Sequence, residues 1–192
     1  MPLNGFLLPI LYLIYTTMGY RITLVLYLPF KESNTFEGKV AFAQSVKKII
    51  INNLSPEGER VFEYFDSKSG TVSIHIRDHY EIHFYEDSFE ISSSYKWSTF
   101  LMNDCFEECS LRKIFQRILD RISPQDSWIG SDYTTVQGPT LEYGYYEWLK
   151  SVEERECIIK EFDFESIRKS YITGVWPDNL YHIHNNNMYV QK

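Results

Sequence analysis

Between residues 63 and 90, two imidazoles and three carboxylates fall at alternate positions among apolar neighbours: Glu63, His75, Glu81, His83 and Glu90. A period of two is the mark of a strand with one polar side. Pairing these strands so that their apolar residues point the same way puts Glu63, Ser73, His83 and Glu90 in one cross-strand row. The next row holds Val61, His75, Glu81 and Ser92. Neighbouring strands lie about 4.8 Å apart and same-face residues about 6.7 Å apart, so such a group could converge. Imidazole with carboxylate suits a divalent metal, with His83, Glu90 and Glu63 as the ligands. A His–Glu pair also suits proton transfer, which would fall to His75, Glu81, His83 and Glu90. The plainer alternative is a solvated sheet face whose cross-strand pairs contribute roughly 0.2–1 kcal/mol each. A register slip of one residue would disperse the group.

A second constellation is aromatic. Trp128 and Tyr133 stand beside Asp126 and Asp132, and Tyr143 and Tyr146 lie off the apolar stripe of the segment that follows. Aromatics interleaved with carboxylates, not with Lys and Arg, fit a protein-binding hot spot better than nucleic-acid stacking. A loop folded onto the domain by its own aromatics is the plainer alternative. His182-Ile183-His184 would put two imidazoles on one strand face, a weak metal signal near a tail. The chain has no GxGxxG after a strand, no GxxxxGK[ST], GxSxG or HExxH, and no paired CxxC, so nothing supports nucleotide-binding, serine-hydrolase, zincin or zinc-ribbon chemistry.

The elements that must position these residues can be read from periodicity. Tyr20 to Pro29 alternates with an apolar second face from Val25 onward, as a central strand does. Ser33-Asn34-Thr35 offers caps for a helix over 36–53, with Phe42, Ala43, Val46, Ile49 and Ile50 on one stripe and Pro56 beyond its end. Residues 59–95 read as an antiparallel meander of four strands, with turns at Asp66–Gly70, Arg77–His79 and Glu86-Asp87. A helix over 110–122 carries Leu111, Ile114, Phe115, Ile118, Leu119 and Ile122 on one stripe, with Ser110 as a candidate cap. Residues 141–162 suggest one long or two broken helices. Asp163 caps a short helix to Tyr171, closed by Gly174, and a short strand is expected near 180–183.

At 192 residues, with 44% apolar and 23% charged positions, the chain is long enough for one packed core without disulfides or metal. Its net charge of −7 disfavours nucleic acid and anionic membranes as partners. Residues 61–108 hold ten acidic side chains against three basic, and 123–165 repeat that ratio, while Arg112, Lys113, Arg117 and Arg121 form a basic stripe between them. The three cysteines, Cys105, Cys109 and Cys157, lack paired spacing and suit a reducing, cytoplasmic compartment. Residues 5–18 are apolar but short for a bilayer span and broken by Pro9. They could be a buried strand, a membrane-associated anchor, or an extension upstream of a start at Met18; the last is preferred, since Met18 opens directly into a strand.

These observations specify an α+β fold: an antiparallel sheet of about five strands in β-α-β-β-β-β order, covered by helices mainly on one face. Residues 1–17 form an N-terminal extension, 18–122 the core, and 123–192 a helical, aromatic-rich part of the same domain or a small lobe. The expected function is a soluble, non-catalytic binding module for a basic protein, with no cofactor, akin in general type to acidic inhibitor or immunity proteins, although no motif identifies such a family. Its contact residues would be Trp128, Asp126, Asp132, Tyr133, Tyr143 and Tyr146. The alternative is a small metal-dependent or acid–base enzyme centred on the His/Glu face.

Overall fold

The computed structural model describes residues 21–28, 35–53, 60–76, 79–85, 87–102, 111–131, 144–154, 159–177 and 179–189. Ser110, all three cysteines, Asp132, Tyr133, Tyr143 and the N-terminal apolar run lie outside them. The fold is α+β, with eight strands in one mixed sheet and five α-helices among the described residues.

The central strand is β1, Arg21–Tyr27, and every residue after Arg21 is buried because the strand is covered on both faces. Helix α1, Phe36–Ile51, starts where Thr35 accepts a hydrogen bond from the Gly38 N–H, relieving one of the orphan amides of its first turn. The meander follows as β2 (Val61–Asp66), β3 (Thr71–Ile76), β4 (Tyr80–Phe84) and β5 (Ser88–Lys96). A short helix α2, Trp97–Met102, continues from β5, and α3, Leu111–Ile122, buries the whole expected stripe from Leu111 to Ile122.

The second half is richer in strand than its sequence suggested. It supplies β6 (Asp126–Ser131), α4 (Tyr145–Glu154), β7 (Ile159–Glu161), α5 (Phe164–Ile172) and β8 (Leu180–His182). The region read as one long or two broken helices is therefore, among its described residues, helix then strand. Asp163 caps α5 through the Ser166 N–H, and Gly174 closes it at a φ of 90°, both as expected. The strand order is β2-β3-β4-β5-β1-β6-β8-β7, antiparallel throughout except for the parallel β8–β7 pair. The expected five-strand sheet thus extends by three strands beyond β1.

Two cores flank this sheet. On one face α1, α3 and α5 cover Ile22, Leu24, Leu26, Ile74, Ile82, Ile91 and Ile129. On the other, α4 presses Tyr145, Trp148 and Val152 onto Val25, Tyr27, Trp128 and Leu180. The helices thus lie mainly on one face, as expected; α4 closes the β1–β6–β8 part of the second face, and no described helix covers β2–β4 there. No helix among the described residues is long and apolar enough to cross a membrane.

Candidate functional site

The register of β3, β4 and β5 agrees with expectation, pairing Ser73 with His83 and His83 with Glu90, and His75 with Glu81 and Glu81 with Ser92. That of β2 does not. Tyr64 sits opposite Ser73 and Phe62 opposite His75, one residue away from the expected pairing, so the whole of β2 is turned over. The cause is the turn. Asp66 stays in the ladder opposite Thr71 and its carboxylate accepts from the Lys68 N–H and the Ser69 hydroxyl, at 3.0 and 2.8 Å, closing a loop of four residues.

Glu63 consequently leaves the His/Glu group. It lies on the helix-covered face and binds Lys47 and Gln44 of α1, and the Lys47 ammonium holds its carboxyl below the ordinary range. In its place on the open face stand Phe62 and Tyr64, 67% and 58% exposed. The set His83, Glu90 and Glu63 is thus not assembled, and among the described residues no three His, Cys, Asp or Glu side chains are grouped to hold a metal.

His75, Glu81 and His83 do come together. Glu81 lies 4.0 Å from His75 Nδ1, 3.9 Å from His83 Nε2 and 3.8 Å from Arg21, and the two rings meet edge to face at 5.7 Å. All three are partly open to water, which weakens each attraction. Glu90 is different. It is buried, and its two oxygens accept from the Tyr85 and Ser92 hydroxyls, each at 2.9 Å, with Thr23 lying 3.1 Å behind Ser92. Glu90 belongs to a hydroxyl network beside the floor, on the same side of the sheet as His83 but bonded to Tyr85 and Ser92 instead of to the imidazoles.

The aromatic constellation is also redistributed. Trp128 lies in β6, not in a loop, and is buried against His182 with ring centres 4.7 Å apart, so it is not an exposed contact residue. Its indole N–H donates to the Tyr145 hydroxyl, which donates to Asp126 Oδ2, both at 2.6 Å. Asp126 Oδ1 is also 2.6 Å from His182 Nε2, and the other imidazole nitrogen faces Glu161 at 3.5 Å. Both ring nitrogens of His182 thus face carboxylates, Asp126 closely and Glu161 at the limit of a hydrogen bond. Burial, then the bond to Asp126, pushes the Tyr145 phenol far above its usual range. Tyr27, stacked on Tyr145 at 4.1 Å, is pushed up to about 12 by its bond with Tyr146 and by burial. Of the expected contact residues within the described chain, Tyr146 alone is prominently exposed, at 62%.

The resulting surface is a shallow floor of Ser73, His75, Glu81 and His83, with Phe62 and Tyr64 at the sheet edge and α4 beyond β1. Periodicity puts Phe62 and Tyr64 on the covered side and Glu63 on the polar one, because each side of β2 carries two apolar residues and one carboxylate and either pairing fits. His182 carried a signal in its HxH spacing, but its pairing with Asp126 crosses 56 residues. No family model, curated protein or solved structure matches the chain.

Proposed function

We propose that this chain is a non-catalytic binding module that holds a basic protein partner on the open β2–β4 part of its sheet, in the manner of an acidic inhibitor. The observation that carries this reading is that large exposed aromatics and acid share one side of the sheet: Phe62 and Tyr64 on β2, with Glu81 two strands away across His75. Asp66, Glu90, Asp126 and Glu161 lie on the same side of the sheet, and the chain as a whole carries −7. Aromatics supply contact area at low entropic cost, and the acidic field steers a basic partner toward them. The acid–base alternative would rest on His75, Glu81 and His83, but no described element covers this floor to exclude water, and general acid–base groups work best in an enclosed, low-dielectric site.

The test is native mass spectrometry of complexes captured from the source cells, compared across two charge reversals. Glu81→Lys should abolish capture of a basic protein. Glu165→Lys, the same charge change on α5 at the opposite face, should leave it intact. Equal loss in both variants, or capture indifferent to both, would rule the open face out as the binding site.

A further inference from the structure

Strand β2 is the terminal strand of the sheet, and among the described residues its outer edge pairs with nothing. Hydrogen bonds along the meander fix which of its backbone groups point outward. The Tyr85 N–H donates to the Ser88 carbonyl, the Ser94 N–H to the His79 carbonyl, and the Leu28 N–H to the Asp87 carbonyl. With the observed registers, odd residues of β4 bond β5 and even residues bond β3. Alternation carries this across β3, so that Phe62, Tyr64 and Asp66 bond β3 and the main-chain groups of Val61, Glu63 and Phe65 point outward. Among the described residues β2 pairs with β3 alone. This edge of six residues, unpaired among the described residues, carries two apolar side chains and one carboxylate on each side and no proline, and such an edge recruits another strand unless something blocks it.

We propose that the occupant is the β2 edge of a second copy, in an antiparallel pair with Glu63 on the two-fold axis. This inference shares Phe62 and Tyr64 with the partner reading above, but its test reads self-association of the pure chain and so succeeds or fails without that partner. Of the symmetric registers, the one centred on Glu63 lets all three outward residues pair: Glu63 with itself, and Val61 with Phe65 in both directions. Centring on Phe62 or Tyr64 allows only two such pairs. The same register sets Phe62 opposite Tyr64 twice on the open face, at the closely spaced positions where cross-strand aromatics interact best. It also sets Arg60, exposed just before the strand, opposite Asp66 at each end. Centring on Tyr64 would instead face Arg60 with Lys68. The one unfavourable feature is Glu63 against Glu63, and each of these is already bound by Lys47 of its own α1. Backbone, aromatic and charged groups thus agree on a single register. The floor of His75, Glu81 and His83 lies two and three strands from the seam and stays outside it.

The test is sedimentation equilibrium of the full chain over a concentration series, with circular dichroism to confirm folding. An interface of this size should give a Kd on the order of 10 µM. Tyr64→Lys should yield monomer. Arg60→Glu should weaken the dimer about tenfold or more, because two opposite-charge pairs become like-charge pairs. Glu63→Gln should tighten it about twofold to fivefold by removing the central repulsion. Wild-type protein that stays monomeric to about 200 µM overturns the proposal, since the expected Kd is well below that. So does a dimer indifferent to Arg60→Glu and Glu63→Gln. Those two surface changes decide the matter even if Tyr64→Lys fails to fold.

Discussion

The Tyr145 hydroxyl stands between a buried donor and a buried acceptor, and its removal should reveal what such a position is worth. In Tyr145→Phe the ring still stacks on Tyr27 and packs on Trp148, while the Trp128 indole N–H is left without its acceptor. Asp126 keeps the Ser127 N–H and His182. An orphaned buried donor costs about 1–3 kcal/mol, so chemical denaturation should show a loss in that range. A loss below about 0.5 kcal/mol would mean that the indole finds another partner on relaxation. The two phenols also set the alkaline limit of the fold. A phenol whose folded pKa is raised stabilises the native state in its neutral form. That contribution is complete below the ordinary value of 10.0 and is lost as pH rises through about 12 for Tyr27. Spectrophotometric titration of the folded protein should therefore show Tyr27 and Tyr145 ionising last, with unfolding accompanying them. Ionisation of every tyrosine near pH 10, without unfolding, would contradict the buried cluster.

At the scale of elements, the turn after β2 decides which residues reach the candidate site. Asp66→Ala removes the acceptor of two local hydrogen bonds, and Gly70→Ala forces a side chain onto a φ of +71°, where an added Cβ meets nothing within 4 Å. The cost of the second change is thus conformational, about 1 kcal/mol. Each variant should lower the thermal midpoint modestly, and loss of Asp66 should in addition loosen the register. Hydrogen exchange of β2 amides faster than that of β4 in Asp66→Ala would show this, whereas uniform exchange would place the control of register elsewhere. The same hairpin marks the limit of what the sequence could disclose. Strands β3, β4 and β5 have one apolar and one polar side, so their register was legible. Val61, Phe62, Tyr64 and Phe65 fill both sides of β2, and only the Asp66 turn separates the two pairings. Helix α1 was legible from stripe and cap together, α3 from its stripe, and α5 from its Asp163 cap and Gly174 stop. Strand β6 was not, because Asp-Ser-Trp-Ile-Gly-Ser is buried on both faces and carries no alternation. Strands β7 and β8 are three residues each, too short for any period. The candidate floor was therefore half visible: His75, Glu81 and His83 by alternation, Phe62 and Tyr64 only once the turn was known.

At the scale of the whole molecule, β1 ties the two halves of the chain together, since β5 from the first half and β6 from the second pair with its opposite edges. It also ties the two cores together. Leu24 and Leu26 face α1 and α3, while Val25 and Tyr27 face α4, and β6 repeats the division with Ile129 and Trp128. Neither core can open without disturbing strands that build the other. Unfolding should then be one cooperative transition, whichever core is weakened. Ile118→Ala removes a fully buried side chain of α3 from the larger core and should cost about 2–5 kcal/mol. Trp148→Ala removes a fully buried side chain of α4 from the smaller core and should cost about 3–5 kcal/mol. In both variants, far-ultraviolet circular dichroism and tryptophan fluorescence should report the same midpoint. An early fluorescence transition in Trp148→Ala, with helix signal retained, would instead make α4 a separately melting cover. The open floor over β2–β4 would then be bordered by an element able to lift, and binding there could be coupled to α4 release. A single transition leaves that floor as a rigid surface fixed by the same strand that holds both cores.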